Sequence, residues 1–136
     1  MSDDITKGDT LAHIAKDSEI MDYYLSHNET YNFAPTDEKF LSFYTTVTTH
    51  GDYSYNPLLA ENYEFIDSIE YLGKTTGGVN NIGLDEEYVS MVRSYFASAL
   101  DTEYLVTLLV KYLMENDLFE STMLCYFLII SATMMG

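Results

Sequence analysis

The chain has 136 residues, 47% of them hydrophobic, and its 22 Asp and Glu residues against six Lys and Arg residues give a net charge of −16. This length fits one domain with a true core, and the apolar content excludes a disordered tail. The charge argues against direct binding of DNA or RNA, because proteins displace counterions from phosphates with Lys and Arg.

The first half of the chain is expected to form two helices after a flexible lead-in over residues 1–8. Apolar residues recur at three- and four-residue steps over 9–26, which is the helical period. Pro35 then interrupts helix formation, and a second helix is predicted over 36–50, capped by its first residue. Its last six residues, TTVTTH, are mostly β-branched, so an extended conformation stays open for them.

A third helix is predicted from Pro57 to Leu72. Asn56 followed by Pro57 is a typical helix start, with Asn as the cap and Pro in the first helical position. Gly73 is the expected left-handed residue at its end. The residues over 73–84 form a long loop rich in Gly and Asn.

Three further helices are predicted in the last third of the chain. The fourth begins with the acidic run 85–87, which suits the positive end of a helix. Asp101 is expected to start a fifth helix over 102–116, and Asp117 a sixth over 118–135. The inward face of the fourth helix is predicted to carry Tyr88, Val89, Val92, Tyr95, Phe96 and Ala99.

The C-terminal run 118–135 is the most apolar part of the sequence. A helix that is apolar all round must be enclosed by protein or by lipid. Its uninterrupted apolar part, Met123 to Met135, is shorter than the about 20 residues that cross a bilayer. We therefore predict a single acidic all-α domain over 1–136, a compact bundle of five or six helices around a buried C-terminal hairpin. Self-association or membrane insertion through 118–135 remains an alternative.

The sequence predicts no catalytic residue, metal site or cofactor. Gly73-Lys74-Thr75 resembles the end of a phosphate-binding loop, but Ser68 stands where that motif needs glycine. His13 and Asp17 lie one helical turn apart without further metal ligands nearby in sequence. Cys125 lies in the apolar run and is expected to be a buried, inert thiol.

A row of carboxylates on the third helix is the most informative polar pattern. Its members recur at steps of three residues, opposite the apolar face, and three further acidic residues follow across the loop. The full set is Glu61, Glu64, Asp67, Glu70, Asp85, Glu86 and Glu87. This set is either a solvated outer face or a surface that meets a basic groove.

Aromatic residues are abundant, with 13 tyrosines and seven phenylalanines. Tyr31, Phe33, Tyr53 and Tyr55 fall in predicted loops, where they either contact a partner or fold over the edge of the core.

These patterns favour a non-catalytic protein-binding module, such as an adaptor, assembly factor, subunit or inhibitor, with a basic protein partner. The alternatives are a nucleic-acid mimic that blocks a basic groove and a hairpin that inserts into a membrane or an oligomer. The single cysteine and the polar N-terminal sequence, which has no signal peptide, favour the cytoplasm. A small acidic chain without catalytic motifs is also typical of viral and phage proteins, for which the compartment would be the host cytoplasm.

Overall fold

The structure, a computed structural model, describes residues 15–50, 53–74 and 83–126. In these ranges the chain is mostly helical and contains no β-strand. The four α-helices are α1 (Asp17–Ser26), α2 (Asn28–Tyr31), α3 (Ala60–Asp67) and α4 (Glu86–Glu115), with 3₁₀ turns at Pro57–Leu59 and Phe119–Ser121. The all-α prediction is confirmed, whereas the bundle of five or six helices is not, since the described residues form four.

The long helix α4 is the element against which the others pack. Its 30 residues span about 45 Å at 1.5 Å per residue. Helix α1 packs on it through Met21, Leu25 and Leu105. Helix α3 packs nearer its start, through Tyr63 and Ala97.

Asp101 does not separate two helices, and the predicted fourth and fifth helices are one continuous helix. Its side chain is buried, with 2% of the residue exposed. The carboxylate accepts hydrogen bonds from the Ser18 backbone N–H at 3.3 Å and from the Ser18 hydroxyl at 2.5 Å. Because the first N–H groups of a helix have no partner within it, Asp101 caps α1 from a neighbouring helix.

Helix α1 begins at Asp17, since Ala15 and Lys16 are not helical, and the part of the predicted first helix over 9–14 lies outside the described residues. Asp17 is itself buried, and its Oδ2 atom accepts hydrogen bonds from the backbone N–H groups of Val47 and Thr48 at 2.7 and 2.6 Å. This contact fixes the start of α1 against a distant part of the chain. The predicted lead-in over 1–8 lies outside the described residues.

The predicted second helix over 36–50 is wrong, because no part of it is helical. Residues 39–47 run without a helix, turn or bend, which agrees with the extended alternative for the first half of TTVTTH. The local sequence FLSFYTTVTT is rich in aromatic and β-branched residues, which favour extended backbone over helix.

The predicted start of the third helix is confirmed, and its predicted end is wrong. The Asn56 side chain accepts a hydrogen bond from the Leu58 N–H at 3.0 Å, with Pro57 in the first position. The helix ends at Asp67, where the Ser68 hydroxyl donates to the Phe65 carbonyl at 2.6 Å. A side-chain hydroxyl that donates to a backbone carbonyl competes with the backbone N–H groups that would continue the helix.

A tight turn follows, in which Tyr71 and Lys74 exchange backbone hydrogen bonds of 3.0 and 2.6 Å. The two central residues, Leu72 and Gly73, have φ angles of 44° and 76°. Two successive positive φ angles define a type I′ turn. Gly73 is therefore left-handed as expected, but in a hairpin turn and not at a helix end. The part of the predicted Gly/Asn loop over 75–82 lies outside the described residues.

The buried face of α4 is rotated from the predicted one. Val89 is buried as predicted, whereas Tyr88, Tyr95 and Phe96 are 48%, 45% and 38% exposed. The buried positions are mostly small or polar: Ser94, Ala97, Ser98 and Asp101. Small side chains let α3 and α1 approach the helix closely, so the bulky aromatics lie at the edges of the contact.

Asp117 closes α4 and does not start a sixth helix. Its φ is 57°, its N–H donates to the Met114 carbonyl at 3.3 Å, and the next N–H, of Leu118, donates to the Leu113 carbonyl at 2.8 Å. This pair of bonds is the Schellman motif, which terminates helices.

The buried C-terminal hairpin is wrong as far as the structure describes it. Residues 122–126 are not helical, and Met123 and Tyr126 are 86% and 64% exposed. Cys125 is exposed, contrary to the expected buried thiol. The rest of the predicted sixth helix, 127–135, lies outside the described residues.

The type I′ turn carries a substitution that should stabilise the protein. Replacing Leu72→Asn puts an Asn-Gly pair in the turn, and Asn tolerates positive φ better than Leu. We expect the free energy of unfolding in urea to rise by about 0.5 to 1 kcal/mol. Leu72→Ala, which keeps the unfavourable φ without the Asn side chain, is the control and should show no such gain.

We expect a large coupling free energy between Asp101 and Ser18 in the stability of the fold. Asp101→Ala leaves the Ser18 donors buried without a partner and should cost about 2 to 4 kcal/mol in urea unfolding. Ser18→Ala should cost less, and the double variant should cost clearly less than the sum of the two. Additive costs would show that this contact does not hold α1 to α4.

Candidate protein-binding surface

The apolar side of α3 faces α4 and leaves its acidic side in solvent. Tyr63 and Ile66 are 2% and 3% exposed, and each packs against residues of α4. Glu61 and Glu64 lie on the other side of the helix and are exposed. They are three residues apart, so they lie about 4.5 Å apart along the helix axis.

Asp67, the third member of the predicted acidic row, is paired with a cation. Arg93 Nε and Nη2 donate to the two Asp67 carboxylate oxygens at 2.7 and 2.5 Å. The same guanidinium lies over the Tyr63 ring, 4.2 Å from its centroid. Hydrogen bonds from Arg93 lower the pKa of Asp67 below its ordinary value of 3.8, against an opposing effect of burial. The charge of Asp67 is therefore largely compensated.

The other acidic candidates do not continue the row. Glu70 is exposed but lies beyond the end of α3. Asp85 caps α4, and its side chain accepts the Glu87 N–H at 2.7 Å. Glu86 and Glu87 are exposed in the first helical turn, where the helix dipole stabilises them. Of the four members of the predicted row, α3 therefore presents two carboxylates without a cationic partner, Glu61 and Glu64.

Tyr31 and Phe33 belong to one aromatic cluster with Tyr23, Tyr24 and Tyr44. The Tyr24 ring lies 5.1 Å from Tyr31 and 6.0 Å from Phe33 between centroids. Phe33 also packs against the Met21–Leu25–Leu105 core, whereas Tyr31 is 41% exposed. Phe33 thus closes the edge of the core, and Tyr31 is the more exposed of these two predicted interface residues.

Tyr53 and Tyr55 both lie against other tyrosine rings. The Tyr53 ring meets Tyr95 edge-on at 5.3 Å. Tyr55 stacks on Tyr63 at 5.0 Å and remains 62% exposed. Tyr63 therefore contacts both Tyr55 and Arg93, which joins an exposed aromatic ring to the Asp67 ion pair.

A groove of about 480 Å³ lies between Lys16, α3 and α4. Glu61 lies on its wall, together with the half-exposed aromatic residues Phe65 and Tyr104 (55% and 56%). The remaining lining residues are Asn62, Leu100, Asp101, Glu103 and Thr107. The groove thus places exposed aromatic side chains beside carboxylates.

The sequence pattern alone does not indicate Phe65 or Tyr104 as part of this surface. Phe65 falls on the apolar side of the predicted helix over 57–72 and is therefore expected to be buried, but it is 55% exposed on the observed eight-residue α3. Leu41 and Phe43, which are 97% and 83% exposed, were also missed. Alternation of side chains along an extended segment would have indicated their exposure.

Within the described ranges, no group of three or more His, Cys, Asp or Glu residues is arranged to hold a metal ion. Asp17, once paired in sequence with His13, is engaged by backbone N–H groups, and His13 lies outside the described residues. His27 stacks on Tyr23 at 4.4 Å between ring centroids.

Comparison with protein-family models, with curated proteins and with solved structures found no match for this chain. Among the helices that the structure describes, including the 30-residue α4, none combines the length and the apolar character needed to cross a membrane.

The Asp67–Arg93 ion pair should make the free energy of unfolding depend on pH in the acid range. Because the folded-state pKa of Asp67 is lowered, its stabilisation is full above the unfolded value near 3.8 and is lost as pH falls through the folded value. Asp67→Asn should lower the free energy of unfolding at pH 7 by no more than about 1 kcal/mol, since the pair is partly screened by solvent. The difference from the wild type should shrink below about pH 4.

Glu64→Gln removes an exposed carboxylate from the same helix and serves as the control. A gap between Asp67→Asn and the wild type that stays constant down to pH 2.5 or so would contradict the role of this ion pair.

Proposed function

We propose that this chain is a non-catalytic, cytoplasmic protein-binding module whose partner has a basic surface. Three of the five described Lys and Arg residues, Lys16, Arg93 and Lys111, already pair with carboxylates of this chain. Most of the described carboxylates therefore have no cationic partner in the described ranges of the chain, whose net charge is −16. Such a surface attracts basic proteins and speeds their association at low salt.

The groove beside Glu61 is the observation that carries this proposal. Protein interfaces are enriched in aromatic residues and depleted of Lys, and the groove presents Phe65 and Tyr104 half exposed beside Glu61. Aromatic residues at such positions commonly supply a large part of the binding energy, while carboxylates around them set orientation and the association rate.

A nucleic-acid mimic is the narrower form of this proposal. Glu61 and Glu64 lie about one helical turn apart on α3, and their two negative charges resemble phosphates along a nucleic-acid backbone. The Arg93 pair compensates Asp67, and Glu70 lies off the helix, so a mimic would have to draw further charges from Glu86 and Glu87. The broader proposal, a module that binds a protein with a basic surface, does not require this row of charges.

The test begins with affinity capture of the partner from the native cell, followed by titration calorimetry with the purified partner. Glu61→Gln combined with Glu64→Gln should weaken binding about tenfold and make its salt dependence shallower, because two steering charges are lost. Asp22→Asn combined with Glu29→Gln removes two exposed carboxylates elsewhere on the molecule. This matched control should leave the affinity within about a factor of two.

Phe65→Ala and Tyr104→Ala test the aromatic part and should mainly increase the dissociation rate. Equal affinities of the wild type, the charge variant and both aromatic variants would contradict the assignment of this groove. Competition between a short DNA or RNA duplex and this protein for the partner would select the mimic over the broader reading.

A further inference from the structure

The segment over residues 39–47 has the pattern of a β-strand without a sheet. Even-numbered side chains from Phe40 to Thr48 turn toward the body of the protein: four are partly buried, and the Ser42 hydroxyl donates to the Phe33 carbonyl. The odd-numbered side chains are exposed, and from residue 41 onward they are Leu41, Phe43, Thr45 and Val47. Beyond the exposed Lys39 this outward face carries no charge, and two of its residues are large and more than four-fifths exposed, which is unusual for a solvated segment.

The backbone of residues 39–46 has no hydrogen-bonding partner among the described residues, since none of its N–H or C=O groups takes part in a hydrogen bond with them. Extended backbone presents its donors and acceptors along both edges at the spacing that another extended strand matches. Such an edge is a template for strand addition.

The body of the protein holds the segment in place. The Tyr44 hydroxyl donates to the Asp17 backbone carbonyl at 3.3 Å. Burial, reinforced by the Asp17 carboxylate, raises the pKa of Tyr44, so this hydroxyl stays protonated and able to donate. The Asp17 carboxylate also binds the N–H groups of Val47 and Thr48. The conformation is therefore set before any partner arrives, which lowers the entropic cost of binding.

We propose that residues 39–46 are a docking strand that adds to the exposed edge of a β-sheet in a basic partner protein, with Leu41 and Phe43 entering apolar pockets beside that edge. This inference rests on the proposed function and names its mode of recognition. Backbone pairing would supply affinity, and the alternate side chains would supply specificity.

Charge favours a basic partner protein over the two other candidates for this segment, a second copy of the chain and an anionic membrane surface. A second copy would bring two chains of net charge −16 together, which electrostatic repulsion opposes. An anionic membrane surface is disfavoured for the same reason, and the exposed Asp37 and Glu38 directly precede the segment. A sheet edge bordered by Lys or Arg satisfies both the backbone and the charge.

The first experiment uses a phage-displayed library of random twelve-residue peptides, selected on the full chain. We expect enriched peptides that alternate apolar and β-branched residues and carry Lys or Arg. Synthetic versions should bind at least tenfold more weakly to the Leu41→Ser/Phe43→Ser variant. Bound peptide should also slow hydrogen exchange of the amides over 40–46.

Proline substitution distinguishes strand pairing from simple apolar contact. In a strand, successive residues direct their backbone N–H groups to opposite edges, so Thr45→Pro and Thr46→Pro each remove a donor from a different edge. One of the two should weaken peptide binding at least tenfold and the other should have little effect. Thr45→Ala and Thr46→Ala keep both donors and should bind as the wild type does, and urea unfolding checks that every variant is folded.

Several results would overturn the docking strand. One such result is that every selected peptide binds the Leu41→Ser/Phe43→Ser variant as tightly as the wild type, so that no peptide distinguishes the two proteins. Another is that neither Thr45→Pro nor Thr46→Pro changes the affinity for the peptide. Sedimentation that shows a wild-type dimer abolished by this double substitution would assign the segment to a second copy. Flotation with phosphatidylcholine vesicles that is lost in the same variant would assign it to lipid.

The captured partner separates this inference from the proposed function. Weaker binding by the Glu61→Gln/Glu64→Gln variant together with unchanged binding by the Leu41→Ser/Phe43→Ser variant would refute the docking strand and leave the proposed function intact. Loss of binding in both variants would support both.

Discussion

The contact between Asp101 and the first turn of α1 is the interaction on which the rest of the structure depends. A carboxylate buried without a cation is costly unless several donors surround it. Here Ser18 supplies two donors, and the positive end of α1 adds a favourable field. This position of α1 also places Asp17 where it can bind the N–H groups of Val47 and Thr48. Asp101 thus connects α4 to α1, and Asp17 connects α1 to Val47 and Thr48, which lie between the two helices in the chain.

The carboxylates of this chain fall into two physical classes. Asp17 and Asp101 are buried, accept hydrogen bonds from neutral donors and determine where elements lie. Others, including Glu61 and Glu64, are exposed and contribute little to stability, because solvent screens them. Asp67 lies between the two classes, since Arg93 both binds it and covers Tyr63. Removing the exposed class would therefore be expected to change recognition much more than folding.

Local signals predicted local structure well and failed where a distant residue decides. Asn56 and Pro57 start a helix through neighbours in sequence, so their pattern could be interpreted correctly. Asp101 and Asp117 carry the same apparent signal, an acidic residue before an apolar stretch. One instead caps another helix across 83 residues, and the other adopts a left-handed conformation that ends α4. The sequence predicts that the surface is acidic. The positions of the carboxylates on it could not be predicted, because they depend on where α3 ends and on the ion pair of Asp67.

An exposed apolar strand would ordinarily lead to aggregation, and the charge of this chain counteracts that tendency. Strand edges with large apolar side chains pair readily with one another. Each approaching copy, however, carries a net charge of −16, so self-pairing must overcome repulsion that a basic partner does not meet. In the proposed docking mode, the same carboxylates that steer a partner toward the groove beside Glu61 would also keep other copies of the chain away from Leu41 and Phe43. On this argument the acidic composition offsets the aggregation risk of the exposed segment.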